Sequence, residues 1–103
     1  MDDEGVFNIM TPDPIHDFVF NDHALFEMAR RGLSKESVRT ILNAPEQRYE
    51  VRPGRHVLQS RIDLGHPSKE YLVRVFVDID RQPAEVVTAY RTSKISKYWR
   101  GKP

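Results

Sequence analysis

Residues 86–98 read Val-Val-Thr-Ala-Tyr-Arg-Thr-Ser-Lys-Ile-Ser-Lys-Tyr. The stretch begins with the β-branched residues of a strand and ends as a basic, aromatic tail. It carries a closely spaced set of side chains that bind or polarise phosphate: Thr88, Tyr90, Arg91, Lys94, Lys97 and Tyr98. We therefore predict that the rest of the chain is a scaffold that holds this last strand in place.

Alternating apolar and polar residues predict four strands in the second half of the chain. Their ranges are 47–52, 56–63, 69–79 and 84–92. Because short turns join them, neighbouring strands should be antiparallel. The core face of the third strand is predicted to comprise Tyr71, Val73, Val75, Val77 and Ile79, with Arg74 on the opposite face.

Two short helices are predicted before these strands, over 23–31 and 34–42. Asn21 or Asp22 can cap the first helix and Ser34 the second, because each side chain accepts from the amides of a first turn. Gly32 supplies a left-handed stop between them. The apolar side of the first helix is predicted to be Leu25, Phe26, Met28 and Ala29.

Helices followed by strands predict an α+β fold, with two N-terminal helices packed on one face of a four-stranded antiparallel sheet. Residues 18–20 are interpreted as a short extended piece that leads into the first helix. The 103 residues suit one domain, predicted over 17–103. Residues 1–16 are acidic, contain two prolines and are predicted to be a flexible segment.

Composition excludes several classes of protein. The chain has no cysteine, which excludes a disulfide framework, a cysteine zinc site and a thiol nucleophile. No apolar run approaches the roughly 20 residues of a membrane span, and the acidic start does not resemble a secretory signal. We expect a cytoplasmic protein without a membrane partner.

Charge is distributed unevenly along the chain. Residues 1–22 contain six acidic residues and no Lys or Arg, whereas the remainder contains sixteen basic and nine acidic residues. The last thirteen residues include five basic ones and no acid. Such a tail indicates a polyanionic partner, RNA or DNA first, although it can also be a solvated terminus.

The loop of the last hairpin decides which polar groups lie beside Arg74. A four-residue loop over 80–83 places Arg91 on the same sheet face as Arg74, whereas a loop one residue shorter or longer groups Arg74 with Thr88 and Tyr90. Both alternatives put an arginine in the middle of the face away from the helices. One reading is that the aliphatic part of this arginine lies on the sheet while its guanidinium reaches water. The other is that the planar guanidinium serves as a fork-shaped phosphate ligand.

His23 is a second candidate, at the first turn of a helix. That position favours anions and the neutral imidazole that a general base requires. The alternative is a solvent-facing histidine on a polar stripe with Glu27 and Arg30. A metal site on His23 and Glu27 would need further ligands that are not apparent, so we predict neither a metal nor another cofactor.

The aromatic residues Tyr90, Tyr98 and Trp99 lie among basic ones. Rings interleaved with Lys and Arg suit stacking on single-stranded bases. Alternatively, Tyr90 belongs to the core and Trp99 caps the edge of the sheet.

Three runs of the sequence carry a resemblance to a known family. They are Asn-Asp-His-Ala-Leu-Phe-Glu-Met-Ala-Arg-Arg-Gly-Leu-Ser-Lys-Glu-Ser-Val, then Ile-Leu-Asn-Ala-Pro-Glu, and the closing Val-Val-Thr-x-Tyr. With these runs the chain resembles the bacterial domain-of-unknown-function family 4258 over residues 18–98. The layout of that family is similar to small ribonuclease folds that include RelE-type toxins, colicin D-like tRNases and barnase. The resemblance implies metal-free RNA cleavage on an open sheet face. It matches His23 and Arg30 to helical polar positions, and Thr88, Tyr90 and Arg91 to a last-strand set.

We therefore expect a metal-independent endoribonuclease of toxin type, with RNA as substrate and an antitoxin or other acidic protein as a further partner. The catalytic candidates are His23 as base or acid, Arg74 and Arg91 as stabilisers of phosphate charge, and Tyr90. The RNA-binding candidates are Arg30, Thr88, Lys94, Lys97 and Tyr98. The alternatives are a nucleic-acid-binding module without catalysis and a protein-interaction domain.

Overall fold

A computed structural model of the chain describes residues 12–101. The elements follow one another as β1 (Phe18–Phe20), α1 (Asp22–Arg30), α2 (Lys35–Asn43), β2 (Gln47–Arg52), β3 (Arg55–Leu64), β4 (Lys69–Asp78), β5 (Ala84–Thr92) and α3 (Ile95–Tyr98). The strands form one mixed sheet in the order β1-β5-β4-β3-β2. Strands β2 to β5 are antiparallel neighbours, and β1 runs parallel to β5.

The predicted four-stranded antiparallel sheet with two helices is wrong, although the α+β class is confirmed. Residues 18–20 are a fifth strand, because Phe18 pairs with Ala84 and Phe20 with Val86. Three residues are too short to show a period, so the sequence does not reveal this partner. A third helix, α3, follows β5 where the sequence predicts only a tail.

The helix ends are confirmed by their caps. Asn21 Oδ1 accepts from the Ala24 amide at 2.7 Å, and Ser34 Oγ accepts from the Ser37 amide at 3.0 Å. Gly32 has a φ of +70°, the left-handed conformation expected between the helices.

The predicted apolar side of α1 needs correction. Ala24 and Met28 are the buried residues of α1, which packs against β5, whereas Phe26 is 64% exposed. Ala24 and Met28 are four residues apart and so form one stripe. Phe26 lies roughly 200° around the helix from both of them, and it therefore faces away from the sheet.

The main core lies between the helices and one sheet face. Val73, Val75 and Val77 of β4 are fully buried there, together with Ile41 and Leu42 of α2. The strand β4 ends at Asp78, and Ile79, which was expected in the core, is exposed.

The N-terminal segment is described only in part. Residues 1–11, most of the stretch predicted to be flexible, lie outside the described residues. Ile15 packs against the core, and its amide donates to the carbonyl of Leu42 at 2.8 Å.

The sheet face opposite the helices is covered at its centre, contrary to the expected open face. Leu72 and Gln59 are fully buried there, and Arg74 is only 6% exposed. The chain beyond β5 turns back over this face, since the carbonyl of Tyr98 accepts from Gln59 and that of Arg100 accepts from Gln47. No helix within residues 12–101 is long and apolar enough to cross a membrane.

Candidate nucleic-acid interface

A bulge in β5 decides which side chain lies beside Arg74. Near the turn, Val77 pairs with Val86, as a four-residue loop predicts, but the register then shifts and Arg74 pairs with Tyr90. One extra residue in a strand turns the following side chains to the opposite face. Tyr90, rather than Arg91, therefore shares the face of Arg74.

Arg74 lies at the centre of a polar cluster. Its Nε donates to Gln59 Oε1, its Nη1 to the Tyr90 hydroxyl and its Nη2 to the Tyr49 hydroxyl, each at 2.8 Å. The guanidinium carbon also lies 4.4 Å from the ring centroid of Tyr98. We call these five residues the Arg74 cluster. Within residues 12–101 none of the hydrogen-bond partners of Arg74 is a carboxylate, so its positive charge is buried among neutral groups.

Two glutamines hold the returning chain on the sheet. Gln59 Nε2 donates to Gln47 Oε1 at 2.8 Å and to the Tyr98 carbonyl at 3.2 Å. Gln47 Nε2 donates to the carbonyl of Arg100 at 2.7 Å, and the Arg100 amide donates back to Gln47 Oε1 at 3.1 Å. Because the Gln59 amide nitrogen is used in this way, its oxygen faces Arg74 and accepts from it.

The Tyr90 hydroxyl differs from that of Tyr49. Tyr49 both accepts from Arg74 and donates to the Tyr98 carbonyl at 3.4 Å. Tyr90 accepts from Arg74, but no acceptor for its own proton occurs among the described residues. A hydroxyl that accepts from a cation is polarised and becomes a better donor. The half-buried Tyr90 is therefore suited to donate to an anionic oxygen.

Basic side chains surround this cluster. Lys94, Lys97 and Arg100 are exposed, and residues 86–101 contain no acidic residue. The Arg100 guanidinium stacks 4.0 Å from the ring centroid of Tyr49, and Lys97 Nζ lies 5.4 Å from that of Tyr98. We call the surface formed by Tyr90, Lys94, Lys97, Tyr98 and Arg100 the C-terminal basic face.

His23 does not belong to this face. It is an exposed residue of α1 at a cleft of about 550 Å³ that Arg55, Asp78 and Thr88 also line. None of the residues that contact Arg74 lines this cleft. The hydrogen bond from Arg55 holds the pKa of Asp78 below its usual value, so the cleft contains a compensated ion pair.

The other predicted residues are also dispersed. Arg30 pairs with Glu27 at 2.6 Å, and Arg91 is exposed with its guanidinium 4.9 Å from the ring centroid of Tyr71. Thr88 Oγ1 lies 3.4 Å from Nη1 of Arg31, a residue of the helical hairpin. Of the four predicted catalytic residues, the structure thus brings together Arg74 and Tyr90. Of the predicted RNA-binding residues, Tyr98 contacts Arg74, Lys97 lies beside Tyr98, and Lys94 directly precedes the same helix, α3.

Sequence reasoning missed Gln47, Tyr49 and Gln59. Gln59 pairs directly with Arg74 across β3 and β4, and Gln47 pairs with Gln59 across β2 and β3. Two amides in register with an arginine are a signal of a polar cluster, but only once the strand register is known. No group of three or more side chains able to hold a metal ion occurs in residues 12–101.

Comparison with known proteins identifies the family of the chain. The model of a family described as Domain of unknown function (DUF4258) matches residues 20–91, a range that contains Arg74 and Tyr90 and ends before α3. No curated protein and no solved structure matches the chain, so the likeness to small ribonuclease folds stays a prediction. Since the match covers well over half of its residues, the chain belongs to the DUF4258 family.

Proposed function

We propose that this domain binds single-stranded RNA on the C-terminal basic face. The observation that carries the proposal is the nearly buried charge of Arg74, which has only neutral hydrogen-bond partners within residues 12–101. A charge in the protein interior is costly unless an opposite charge compensates it. An anionic ligand on the adjacent surface would compensate it.

Tyr90 is the group through which Arg74 acts on a ligand. Arg74 itself is too buried to meet a phosphate directly, whereas Tyr90 is half-buried and has a hydroxyl proton to donate. A phosphate oxygen that accepts a hydrogen bond from the Tyr90 hydroxyl would be linked to the guanidinium through that hydroxyl. Tyr90 would therefore be the phosphate ligand, and Arg74 the positioning residue behind it.

The exposed part of the face fits a flexible single strand. Lys94, Lys97 and Arg100 provide positive charge for successive phosphates, and the half-buried Tyr98 ring beside Lys97 offers a surface for stacking on a base. Such binding is strongly salt-dependent, because each neutralised phosphate releases counterions.

Fluorescence anisotropy with a labelled single-stranded RNA tests this proposal. Lys94→Gln/Lys97→Gln should weaken binding and reduce the slope of log affinity against log salt by about 1.4, the value for two phosphate contacts on a single strand. Lys35→Gln/Arg39→Gln makes the same change of net charge on α2, and it should leave the slope unchanged. Equal effects of the two double variants would show that only net charge matters and would refute a defined face.

Metal-independent cleavage of the bound RNA is a second candidate function. The observation that favours it is the hydrogen bond between the Tyr90 hydroxyl and Arg74. When a 2′ hydroxyl attacks phosphorus, this tyrosine hydroxyl could give its proton to the leaving 5′ oxygen. The Arg74 cluster has no imidazole or carboxylate to take the 2′ proton, and His23 borders a different cleft. Binding is therefore our first proposal.

Incubation with a mixed RNA pool in EDTA separates the two functions. Cleavage by the wild type that Tyr90→Phe abolishes, at protein concentrations that keep the RNA fully bound to either protein, would support catalysis at this face. Retention of intact RNA by both proteins would leave binding as the function. Cleavage that Tyr90→Phe leaves at full rate would exclude Tyr90 as the proton donor.

A further inference from the structure

A groove of about 650 Å³ lies on the helical side of the molecule, between β1 and the two helices α1 and α2. Ile15, Val19 and Leu25 line it, together with the rings of Phe18 and Phe20. Val19 is 48% exposed although it lies in a strand. The groove is thus an apolar surface that no described part of the chain covers.

The rim of the groove is basic. His16, Lys35 and Arg39 line it, and no acidic side chain of residues 12–101 does. Lys35 and Arg39 have no carboxylate partner within residues 12–101, whereas arginines elsewhere, such as Arg55 and Arg81, pair with one. The Arg39 guanidinium carbon lies 5.6 Å from the ring centroid of Phe20, so a charge stands directly beside the apolar surface.

Within the described residues, one edge of the strand β1 is unpaired. It is the first strand in the sheet order, and β5 is its only strand partner in the described residues. The carbonyl of Asp17 accepts from Ala84, and the amide of Asn21 donates to Val86. Successive residues of a strand turn their backbone groups to opposite sides, so those of Phe18 and Phe20 face the free edge. Such an edge is a template for another strand.

We propose that this groove binds an extended acidic segment of a partner protein, which adds to the sheet as a strand beside β1. Its backbone would pair with Phe18 and Phe20, and alternate apolar side chains would enter the groove. Its Asp or Glu residues would face Lys35 and Arg39. Because β1 is short, backbone pairing alone is weak, and the apolar and ionic contacts supply the rest of the affinity.

This proposal does not depend on RNA binding, because the groove and the C-terminal basic face share no residue. The same pair of double variants tests both sites in opposite senses. Lys35→Gln/Arg39→Gln changes the groove and is the control for RNA, whereas Lys94→Gln/Lys97→Gln changes the basic face and is the control for the groove.

The probe is a blocked synthetic peptide, Glu-Val-Asp-Val-Glu-Ile-Asp-Val, titrated into the full chain and followed by isothermal calorimetry and amide NMR shifts. We expect binding with shifts at Phe18, Phe20 and Lys35, weakened roughly tenfold by Lys35→Gln/Arg39→Gln through the loss of two ion pairs. A version with lysine for every acid should not bind, and one N-methylated on alternate amides should bind much more weakly.

Four results with the peptide would overturn the proposal. Two of them are a failure of the acidic peptide to bind at about 1 mM and equally tight binding of the lysine version. The other two are weaker binding of the acidic peptide to Lys94→Gln/Lys97→Gln and full affinity of the N-methylated peptide. A dimer in sedimentation that Lys35→Gln/Arg39→Gln dissociates would also overturn it, because the groove would then hold a second copy of the chain.

Discussion

Replacing Arg74 by methionine should destabilise the protein by about 2–4 kcal/mol. The change removes three hydrogen bonds from a cation, each worth about 1.5–3 kcal/mol, or roughly 5–9 kcal/mol together. It also removes the desolvation penalty of a buried charge, which is several kcal/mol and offsets part of the loss. The remaining cost arises chiefly at Gln59, whose fully buried side-chain oxygen is left without its donor.

Urea unfolding followed by circular dichroism measures this loss. With a slope of about 2 kcal/mol per molar urea, the midpoint should fall by roughly 1–2 M. Arg91→Met is the matched control, because Arg91 is exposed and its main contact is the ring of Tyr71. That variant should lose no more than about 1 kcal/mol. Equal losses in the two variants, or a loss below about 1 kcal/mol for Arg74→Met, would refute the reasoning.

Three further predictions concern stability. Burial and the nearby charge of Arg48 lower the pKa of His56, so the unfolded chain binds a proton more readily and stability should fall as pH drops below the ordinary pKa of 6.5. His56→Gln should lack this fall in urea titrations at each pH. Gly54→Ala should cost about 1–2 kcal/mol in thermal unfolding, because Gly54 has a φ of +82° and the added Cβ would lie 2.9 Å from an Asp80 oxygen. Asn21→Ala should cost about 1 kcal/mol by the same measurement, since it removes the cap of α1. An unchanged midpoint of thermal unfolding would contradict the close approach of Gly54 to Asp80 in the first variant, or the Asn21 cap in the second.

Local signals in the sequence predicted most elements. The ranges predicted for β2 and β5 agree with the observed Gln47–Arg52 and Ala84–Thr92, because two-residue alternation and flanking turn residues mark a strand clearly. The caps at Asn21 and Ser34 are also local, and they placed both N-terminal helices within one residue.

The misses concern contacts between distant parts of the chain. The partner of β1 lies more than sixty residues away in the sequence, and nothing in Phe18–Phe20 identifies it. The bulge in β5 adds one residue without changing the composition, yet it moves Arg91 from the face of Arg74 and puts Tyr90 there. The cover over Arg74 depends on hydrogen bonds to backbone carbonyls of residues 98–100, which any residue type supplies.

These errors explain why the residues predicted to be catalytic lie in separate places in the structure. It was assembled from residue types that suit phosphate chemistry, and it combined His23 of the helical side with Arg74 of the other sheet face. The structure retains the part of that set in which the residues contact one another, Arg74 and Tyr90. It adds Tyr49 and Gln59, which position the arginine.

The most direct test of RNA binding at the C-terminal basic face is an amide NMR titration of the chain with a short single-stranded RNA at low salt. We predict that the shifts are concentrated at Tyr90 and over residues 94–100, and that they weaken steeply as salt is added. Shifts concentrated at His23 and the helical side, or no shifts at all, would contradict the account.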